Sequence, residues 1–160
     1  MKKVVALLME NQPGALSRVV GLFSQRGYNI ESLIVAPTED PSLSRLTLTT
    51  SEDAKVIDQI IKQLNKLIDV VKVLDLGKSE YVERELMLVK FNRSLITDLE
   101  LDELSGEIVF ENLEVINVQF VGDSSHLNEV LKKLNSKSPL EVVRTGTSGI
   151  SSSTKTLTIN

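Results

Sequence analysis

The apolar residues in the first half of the chain follow two different periods. From Leu16 to Phe23 they recur at the i, i+3, i+4, i+7 spacing of one helix face, and Gly27 then supplies a residue that commonly ends a helix. Leu46 and Leu48 alternate with threonine, which is typical of a strand with one buried face. The pattern predicts strands at 3–9, 29–36, 43–50 and 70–76, and helices at 14–26 and 54–67.

The second half of the chain repeats this order with a weaker pattern. Its predicted strands are 82–91, 107–110, 114–121 and 140–145, and its predicted helices are a poorly patterned 94–104 and 125–134. Two βαββαβ units of this kind define an α+β protein of two tandem ferredoxin-like domains. The predicted boundaries are a first domain at 1–77, a linker at 78–80, a second domain at 81–146 and a mobile tail, rich in Ser, Thr and Gly, at 147–160.

Each predicted domain is small, and a domain of this size buries only a modest core. Two helices on one face of an antiparallel sheet leave the other face bare unless another sheet or subunit covers it. We therefore expect the protein to form a dimer.

The turn at 11–14 offers the clearest chemical handle in the chain. Pro13 fixes φ and Gly14 permits close backbone approach, so the amides of Gly14 and Ala15 are expected to point outward at the start of the first helix. A helix start is a suitable place for a small carboxylate. Asn11 can both donate and accept hydrogen bonds, which suits a zwitterion.

A second polar residue, Asn29, follows Gly27 at the other end of the same helix. Asn29 can reach a helix start only across a subunit boundary or from a neighbouring strand end, which predicts a ligand at an interface. These residues also suit an ordinary turn with a helix cap and an ordinary helix exit, so both interpretations stay open at this point.

Composition excludes several other functions. A net charge of −4, no tryptophan and no aromatic platform on the first and third predicted strands argue against nucleic-acid binding. The aliphatic run at 4–9 is too short to cross a membrane. With no cysteine and no signal-peptide pattern, the chain reads as a mature cytoplasmic protein, and an organelle lumen is the open alternative.

Catalytic motifs are missing from the sequence as well. The single histidine, His126, lies near a predicted helix start without a nucleophile elbow, and it is interpreted as an exposed first-turn residue. The chain carries no phosphate loop or dinucleotide fingerprint. We expect no catalysis, no metal and no cofactor on this chain.

The runs ENQPGALSRV at 10–19 and LFSQRGYNIESL at 22–33 closely resemble the small regulatory subunit of acetohydroxyacid (acetolactate) synthase. Further runs continue the resemblance, namely VAPT at 35–38, DPSLSR at 40–45, QLNKLIDV at 63–70, VERELMLVK at 82–90 and the ending EVVRTG at 141–146. The first half is similar to the ACT domain of that family, a module that binds small effectors at a dimer interface.

The resemblance implies a function in regulation. A member of this family forms a homodimer through its ACT domains, associates with a separate catalytic large subunit, activates it, and confers feedback inhibition by valine in branched-chain amino-acid biosynthesis. Thiamine diphosphate, magnesium and FAD belong to the catalytic subunit, a transferase. The implied effector-binding residues are Asn11, Gly14, Ala15, Asn29 and Ile30. The alternative is a free-standing ACT-type amino-acid sensor that controls a different partner.

The chain departs from the family pattern at 92–107, which is short and divergent beside the usual helix of the family. The stretch 98–114 carries seven acidic residues and no base: Asp98, Glu100, Asp102, Glu103, Glu107, Glu111 and Glu114. A solvated face is the favoured interpretation. A docking patch or a weak divalent-ion site is the minor alternative.

Overall fold

The computed structural model describes residues 2–159 and separates them into two compact units. The first unit contains the chain up to Val82 and again from Thr147 onward, and the second unit is Glu83–Gly146. Residues 147–159, called the C-terminal segment below, therefore belong with the N-terminal part of the chain.

The first unit follows the predicted order of strand, helix, strand, strand, helix, strand. Its elements are β1 (Lys3–Glu10), α1 (Ala15–Arg26), β2 (Ser32–Pro37), β3 (Leu43–Thr50), α2 (Ala54–Leu64) and β4 (Val70–Asp75), followed by a 3₁₀ turn at Leu76–Lys78. The strands form one sheet in the order β2-β3-β1-β4, and all three pairings are antiparallel.

The core of the first unit lies between this sheet and its two helices. Val5 pairs with Leu48 and Leu7 with Leu46, so alternate residues of β1 and β3 point to the same face. Phe23 of α1 packs into the same buried cluster. Full burial of one such side chain is worth roughly 1.5–3 kcal/mol, so this face holds α1 and α2 in place.

The second unit repeats the same architecture. Its elements are β5 (Tyr81–Asn92), a 3₁₀ turn at Arg93–Leu95, α3 (Asp98–Glu103), β6 (Glu107–Glu111), β7 (Val115–Gly122), α4 (Ser124–Leu134), a 3₁₀ turn at Asn135–Lys137 and β8 (Glu141–Arg144). The order of these strands is β6-β7-β5-β8. Phe91, Phe120 and Leu127 are buried in its own hydrophobic cluster. The predicted α+β class with two ferredoxin-like domains is confirmed.

The C-terminal segment covers the face of the first sheet that lies opposite the helices. It contains a short strand, β9 (Ser148–Ser151). Leu157 joins Val4 and Leu76 in a separate buried cluster. A Cβ built on Gly149 would lie 2.7 Å from Cδ1 of Leu76, which shows how closely the segment approaches. The chain itself thus covers the sheet face for which the sequence analysis expected another sheet or subunit. The mobility expected for the tail at 147–160 stays a prediction.

Two predicted helices were too long. α2 ends at Leu64 because Asn65 caps it, with its backbone amide 3.1 Å and its Nδ2 2.8 Å from the Ile61 carbonyl. α3 begins only at Asp98 because the Thr97 side chain caps that position. Helix caps of this kind set ends that hydrophobic spacing alone does not locate.

Candidate functional site

The turn between β1 and α1 is built around a glycine. Gly14 is the N-cap of α1 and has a left-handed backbone, with φ of 90° and ψ of −18°. A residue with a side chain is strained in this conformation. A Cβ at this position would also lie 2.9 Å from Nη1 of Arg18. The backbone geometry and the nearby guanidinium therefore both favour glycine at position 14.

The first turn of α1 keeps backbone donors available. Among residues 2–159, no side chain caps the start of α1. The amides of Leu16 and Ser17 precede the first i→i−4 bond, in which Arg18 donates to the Gly14 carbonyl. The Ala15 amide donates to the Gln12 carbonyl at 3.2 Å, so the turn uses it and the expectation that it points outward is wrong. The free amides and the helix dipole together suit a small anion.

Asn11 fastens this turn to the loop between β2 and β3. Its backbone amide donates to the Ser42 carbonyl at 2.7 Å, and its Nδ2 donates to the Pro41 carbonyl at 3.0 Å. The side chain is exposed, and within residues 2–159 no partner is bonded to its Oδ1. Asn11 therefore keeps acceptor capacity for a ligand beside the helix start.

Asp69, which directly precedes β4, holds both sides of the turn. Its side chain is 1% exposed, accepts from Nη2 of Arg18 at 2.7 Å and from Nε2 of Gln12 at 2.8 Å, and forms a second contact with Nε of Arg18. Its carbonyl accepts from the Glu10 amide at 2.8 Å. Asp69 thus holds the end of β1 through its backbone carbonyl, and it holds the turn and the first turn of α1 through its buried carboxylate.

These contacts set the charge state of the network. The hydrogen bond from Arg18, helped by Gln12, outweighs burial and lowers the pKa of Asp69 to about 2. The same hydrogen bond raises the pKa of Arg18. The pair stays ionised at neutral pH, and its two charges neutralise each other beside the helix start.

Asn29 and Ile30 lie beyond the opposite end of α1. Gly27 ends the helix with φ of 68°, and the Asn29 carbonyl then accepts from Oγ1 of Thr50 at 2.7 Å. Asn29 is exposed, whereas Ile30 is partly buried against the core. With 12 residues, α1 rises about 18 Å between the two groups. One copy of the chain therefore does not bring Asn29 and Ile30 together with Asn11, Gly14 and Ala15.

A surface cavity of about 510 Å³ lies beside the start of α1. It extends from the first turns of α1 to the end of α2, with these residues among its lining: Gly14, Ser17, Arg18, Gly21, Gln63 and Lys66. Of the predicted site residues in the described part of the chain, Gly14 lines it and the others do not.

Sequence reasoning missed the role of Asp69. Its partner Arg18 is 51 positions away, so no local spacing indicates the pair. It also missed the packing of the C-terminal segment. A signal for this packing is the alternation of threonine with aliphatic residues at 156–159, which is the period of an extended chain with one buried side.

Comparison with known sequences identifies the family. A sequence profile described as "AHAS small subunit-like ACT domain" matches residues 5–72, and one described as "Small subunit of acetolactate synthase" matches residues 84–153. Over 156 residues the chain is 47% identical to the acetolactate synthase isozyme 3 small subunits of Salmonella typhimurium and Escherichia coli, with 94% of this chain and 96% of each relative covered. The chain belongs to the acetolactate synthase small-subunit family.

The fold of this family member agrees with a solved relative. The crystal structure of the acetolactate synthase small subunit from Thermotoga maritima superposes with a TM-score of 0.84 at 33% identity, and the match covers 94% of this chain and 96% of that one. Residues 5–72 of the first unit match the ACT domain of the small-subunit family, and the five predicted site residues lie within this matched part.

The acidic stretch of the second unit is largely exposed, and three of its seven acidic side chains form ion pairs in the described part of the chain. Arg93 bonds Asp98 at 2.7 Å and also contacts Glu111, and Lys137 forms an ion pair with Glu100. Among the residues that the structure describes, no group of three or more His, Cys, Asp or Glu side chains could hold a metal ion. This arrangement agrees with the solvated-face interpretation.

His126 lies in the first turn of α4 and is exposed, as predicted. Its backbone amide donates to the Asp123 carboxylate at 2.8 Å, so the residue takes part in a helix cap. Within residues 2–159, no helix is long and apolar enough to span a bilayer.

Proposed function

We propose that this protein is a regulatory subunit of acetolactate synthase whose paired ACT domains bind valine. In this proposal, valine binding changes the activity of a separate catalytic large subunit that holds thiamine diphosphate, magnesium and FAD. Membership of the small-subunit family supports a catalytic partner, and the open, glycine-capped start of α1 is the observation that supports an effector site.

The proposed site takes the amino-acid carboxylate at the start of α1. Amides of the first turn donate to the carboxylate, and Asn11 accepts from the ammonium group through its exposed Oδ1. Arg18 is already paired with Asp69, so the ligand meets backbone dipoles rather than a free guanidinium.

A second copy of the chain completes the site. Asn29 and Ile30 come directly before β2, and β2 lies at the edge of the first sheet. An edge strand presents unpaired backbone groups on which another strand can pair. A copy that docks along β2 would therefore meet these residues, and they would supply the polar and apolar contacts that the first copy lacks.

Regulation requires the ligand to prefer one quaternary arrangement over another. A differential affinity worth about 1–3 kcal/mol is typical of allosteric coupling. The catalytic subunit would respond to that preference through its contact with the regulatory dimer. Association with the dimer would activate the catalytic subunit, and valine binding would inhibit it, as two separable effects.

Mixed dimers test whether the site crosses a subunit boundary. Asn11→Ala and Asn29→Ala should each weaken valine binding about tenfold or more, since each removes hydrogen bonds to a charged ligand. Dimers that contain one protomer of each variant should regain one intact site, which calorimetry detects as tight binding at half the wild-type stoichiometry. The exposed Asn92→Ala in the second unit is the matched control.

Two results would contradict this proposal. If mixed dimers bind no better than the single variants, the two asparagines do not share a site. If the immobilised protein retains no thiamine-diphosphate enzyme from an extract of its source and does not alter a purified synthase, the alternative of a free-standing sensor is correct. Titration with valine, leucine and isoleucine then ranks the effectors; valine and isoleucine differ by one methylene, which a pocket distinguishes by about 1–3 kcal/mol.

A further inference from the structure

A cavity of about 460 Å³ lies between the C-terminal segment and the face of the first sheet opposite the helices. All of its lining residues belong to the first unit. Aliphatic side chains supply much of this lining: Leu8, Leu43, Leu74, Ile150, Leu157 and Ile159. Its volume is within the range of small-molecule pockets, about 300–1,000 Å³. It shares no residue with the proposed effector site on α1.

Arg45 of β3 is a partly buried cation on the wall of this cavity. Its Nη2 donates to the Gly149 carbonyl at 2.7 Å, and burial lowers the pKa of its guanidinium. A guanidinium has five N–H donors, and within residues 2–159 no carboxylate accepts from this one. Arg45 therefore retains both the donors and the charge to receive an anion.

The other charges on the wall limit which anion fits. Lys155 adds a second positive charge, but Glu39 and Asp40 line the same cavity and balance the two cations. Glu39 and Asp40 repel any anion, but they repel a dianion such as phosphate about twice as strongly as a monoanion. A ligand with a single carboxylate on Arg45 is therefore favoured. The aliphatic lining provides an apolar surface for the rest of the molecule.

We propose that this cavity binds a small aliphatic monocarboxylate, with its carboxylate on Arg45 and its alkyl chain against Leu74 and Leu157. Because Arg45 also holds the Gly149 carbonyl, the ligand contacts the sheet and the C-terminal segment together. Binding should therefore slow amide hydrogen exchange in residues 149–158.

The probe is isovalerate, titrated into the full chain with methyl NMR as the readout. Saturable shifts are expected at the methyl groups of Leu74 and Leu157. Isovaleramide keeps the shape and removes the charge, so it should bind about tenfold or more weakly. Inorganic phosphate should produce no saturable shift at these methyl groups.

Arg45→Gln should weaken isovalerate binding by a similar factor, whereas Lys55→Gln, which removes one positive charge from the exposed start of α2, should not. Equal binding of the acid and the amide, or the absence of a saturable shift at Leu74 and Leu157, would overturn the proposal. The comparison of acid with amide uses the wild-type chain, so it decides the question even if Arg45→Gln does not fold.

Isovalerate shares its carboxylate and branched alkyl chain with two ligand sources, the 2-oxo acids and the amino acids, of which the amino acids also carry an ammonium group. Separate titrations with 3-methyl-2-oxobutanoate and with valine distinguish them at the same two leucines. Valine bound only on α1 would leave those methyl groups unshifted, so failure of the effector site and failure of this cavity give different results.

Discussion

The first helices of the two units occupy the same place in the strand order, yet they begin in opposite ways. α1 starts at a left-handed glycine with no side-chain cap. α3 starts at Thr97, whose hydroxyl accepts from the Glu100 amide while the Glu100 carboxylate accepts from the Thr97 amide at 3.0 Å. The second unit thus satisfies its helix start internally, and the first leaves donors available.

The same contrast holds for the other helices. Asp53 caps α2 and Asp123 caps α4, each through a side chain that accepts from a backbone amide of the first turn. A glycine at the N-cap makes a helix less stable than a capping side chain does by only a few tenths of a kcal/mol, so α1 gives up little stability at its open start. We propose ligand binding as the use of that open start.

The two units also differ in how deeply they bury the carboxylate that lies beside their first helix. Asp69 lies under the start of α1 at 1% exposure, while Glu100 beside α3 keeps 37% of its side chain in contact with solvent. Both carboxyls have their pKa lowered to about 2, in each case chiefly by a hydrogen bond from a basic side chain. In the first unit the Asp69–Arg18 pair holds the turn before an uncapped helix start. In the second unit the Glu100–Lys137 pair supports a helix start that a side chain already caps.

The largest expected change comes from replacing the glycine that opens α1. Gly14→Ala places a methyl group in a left-handed conformation against Arg18 and should lower the free energy of unfolding by about 1–2 kcal/mol. It should also remove detectable valine binding, because the turn must move to accommodate the methyl group. Urea unfolding and calorimetry measure the two effects.

Gly21→Ala is the matched control for this change. Gly21 lies inside α1, and a Cβ there would meet nothing within 4 Å. The substitution should raise the free energy of unfolding by about 0.5–1 kcal/mol. Equal stability of Gly14→Ala and the wild type would show that the left-handed turn is not required.

Acid unfolding tests the ion pair under the turn. The pKa of Asp69 is lower in the folded state, so its contribution is complete above about pH 4 and is lost as the pH falls toward 2. Asp69→Asn cannot titrate, so unfolding in this pH window should take up about one proton fewer than in the wild type. Stability measured against pH gives this difference as a slope, and an unchanged slope would contradict the proposed charge state.

The matched change in the second unit is Glu100→Gln. It should also lower proton uptake on unfolding in the same window, since the pKa of Glu100 is lowered as well. If the proposed effector site is correct, the two variants should differ in ligand binding, because Asp69 contacts Gln12 and Arg18 beside that site and Glu100 lies in the second unit. Weaker valine binding in Glu100→Gln would argue against the division of roles between the two units.

Much of the fold could be predicted because its signals are local. The helical spacing around Phe23, the alternation in β3 and the helix exit at Gly27 each depend on a few neighbouring residues. The turn at Gly14 was predicted for the same reason. The caps at Asn65 and Thr97 are local too, but they move helix ends by only a few residues and are hard to place.

The remaining features depend on contacts that are distant in sequence. Asp69 gains its role only when β4 brings it to α1, and Leu157 becomes buried only when the C-terminal segment returns to β1. The separation of Asn29 from Asn11 followed from helix length and could be predicted. The side chains that hold the turn at Gly14 could not be predicted, because one partner of each pair lies far along the chain.

The smallest expected effect comes from opening the closed helix start. Thr97→Gly gives α3 a glycine cap like that of α1 and should lower the free energy of unfolding by only a few tenths of a kcal/mol, whereas Thr97→Ala should lower it by about 1 kcal/mol.

Neither variant should bind valine at α3. That helix has six residues, and it lacks a counterpart of the Asp69 network to hold an open turn. Its start would expose amides without the preorganised surroundings that a ligand needs. Urea unfolding gives the two stability changes, and valine-dependent amide shifts at 97–100 in Thr97→Gly would show that an open helix start is sufficient for binding.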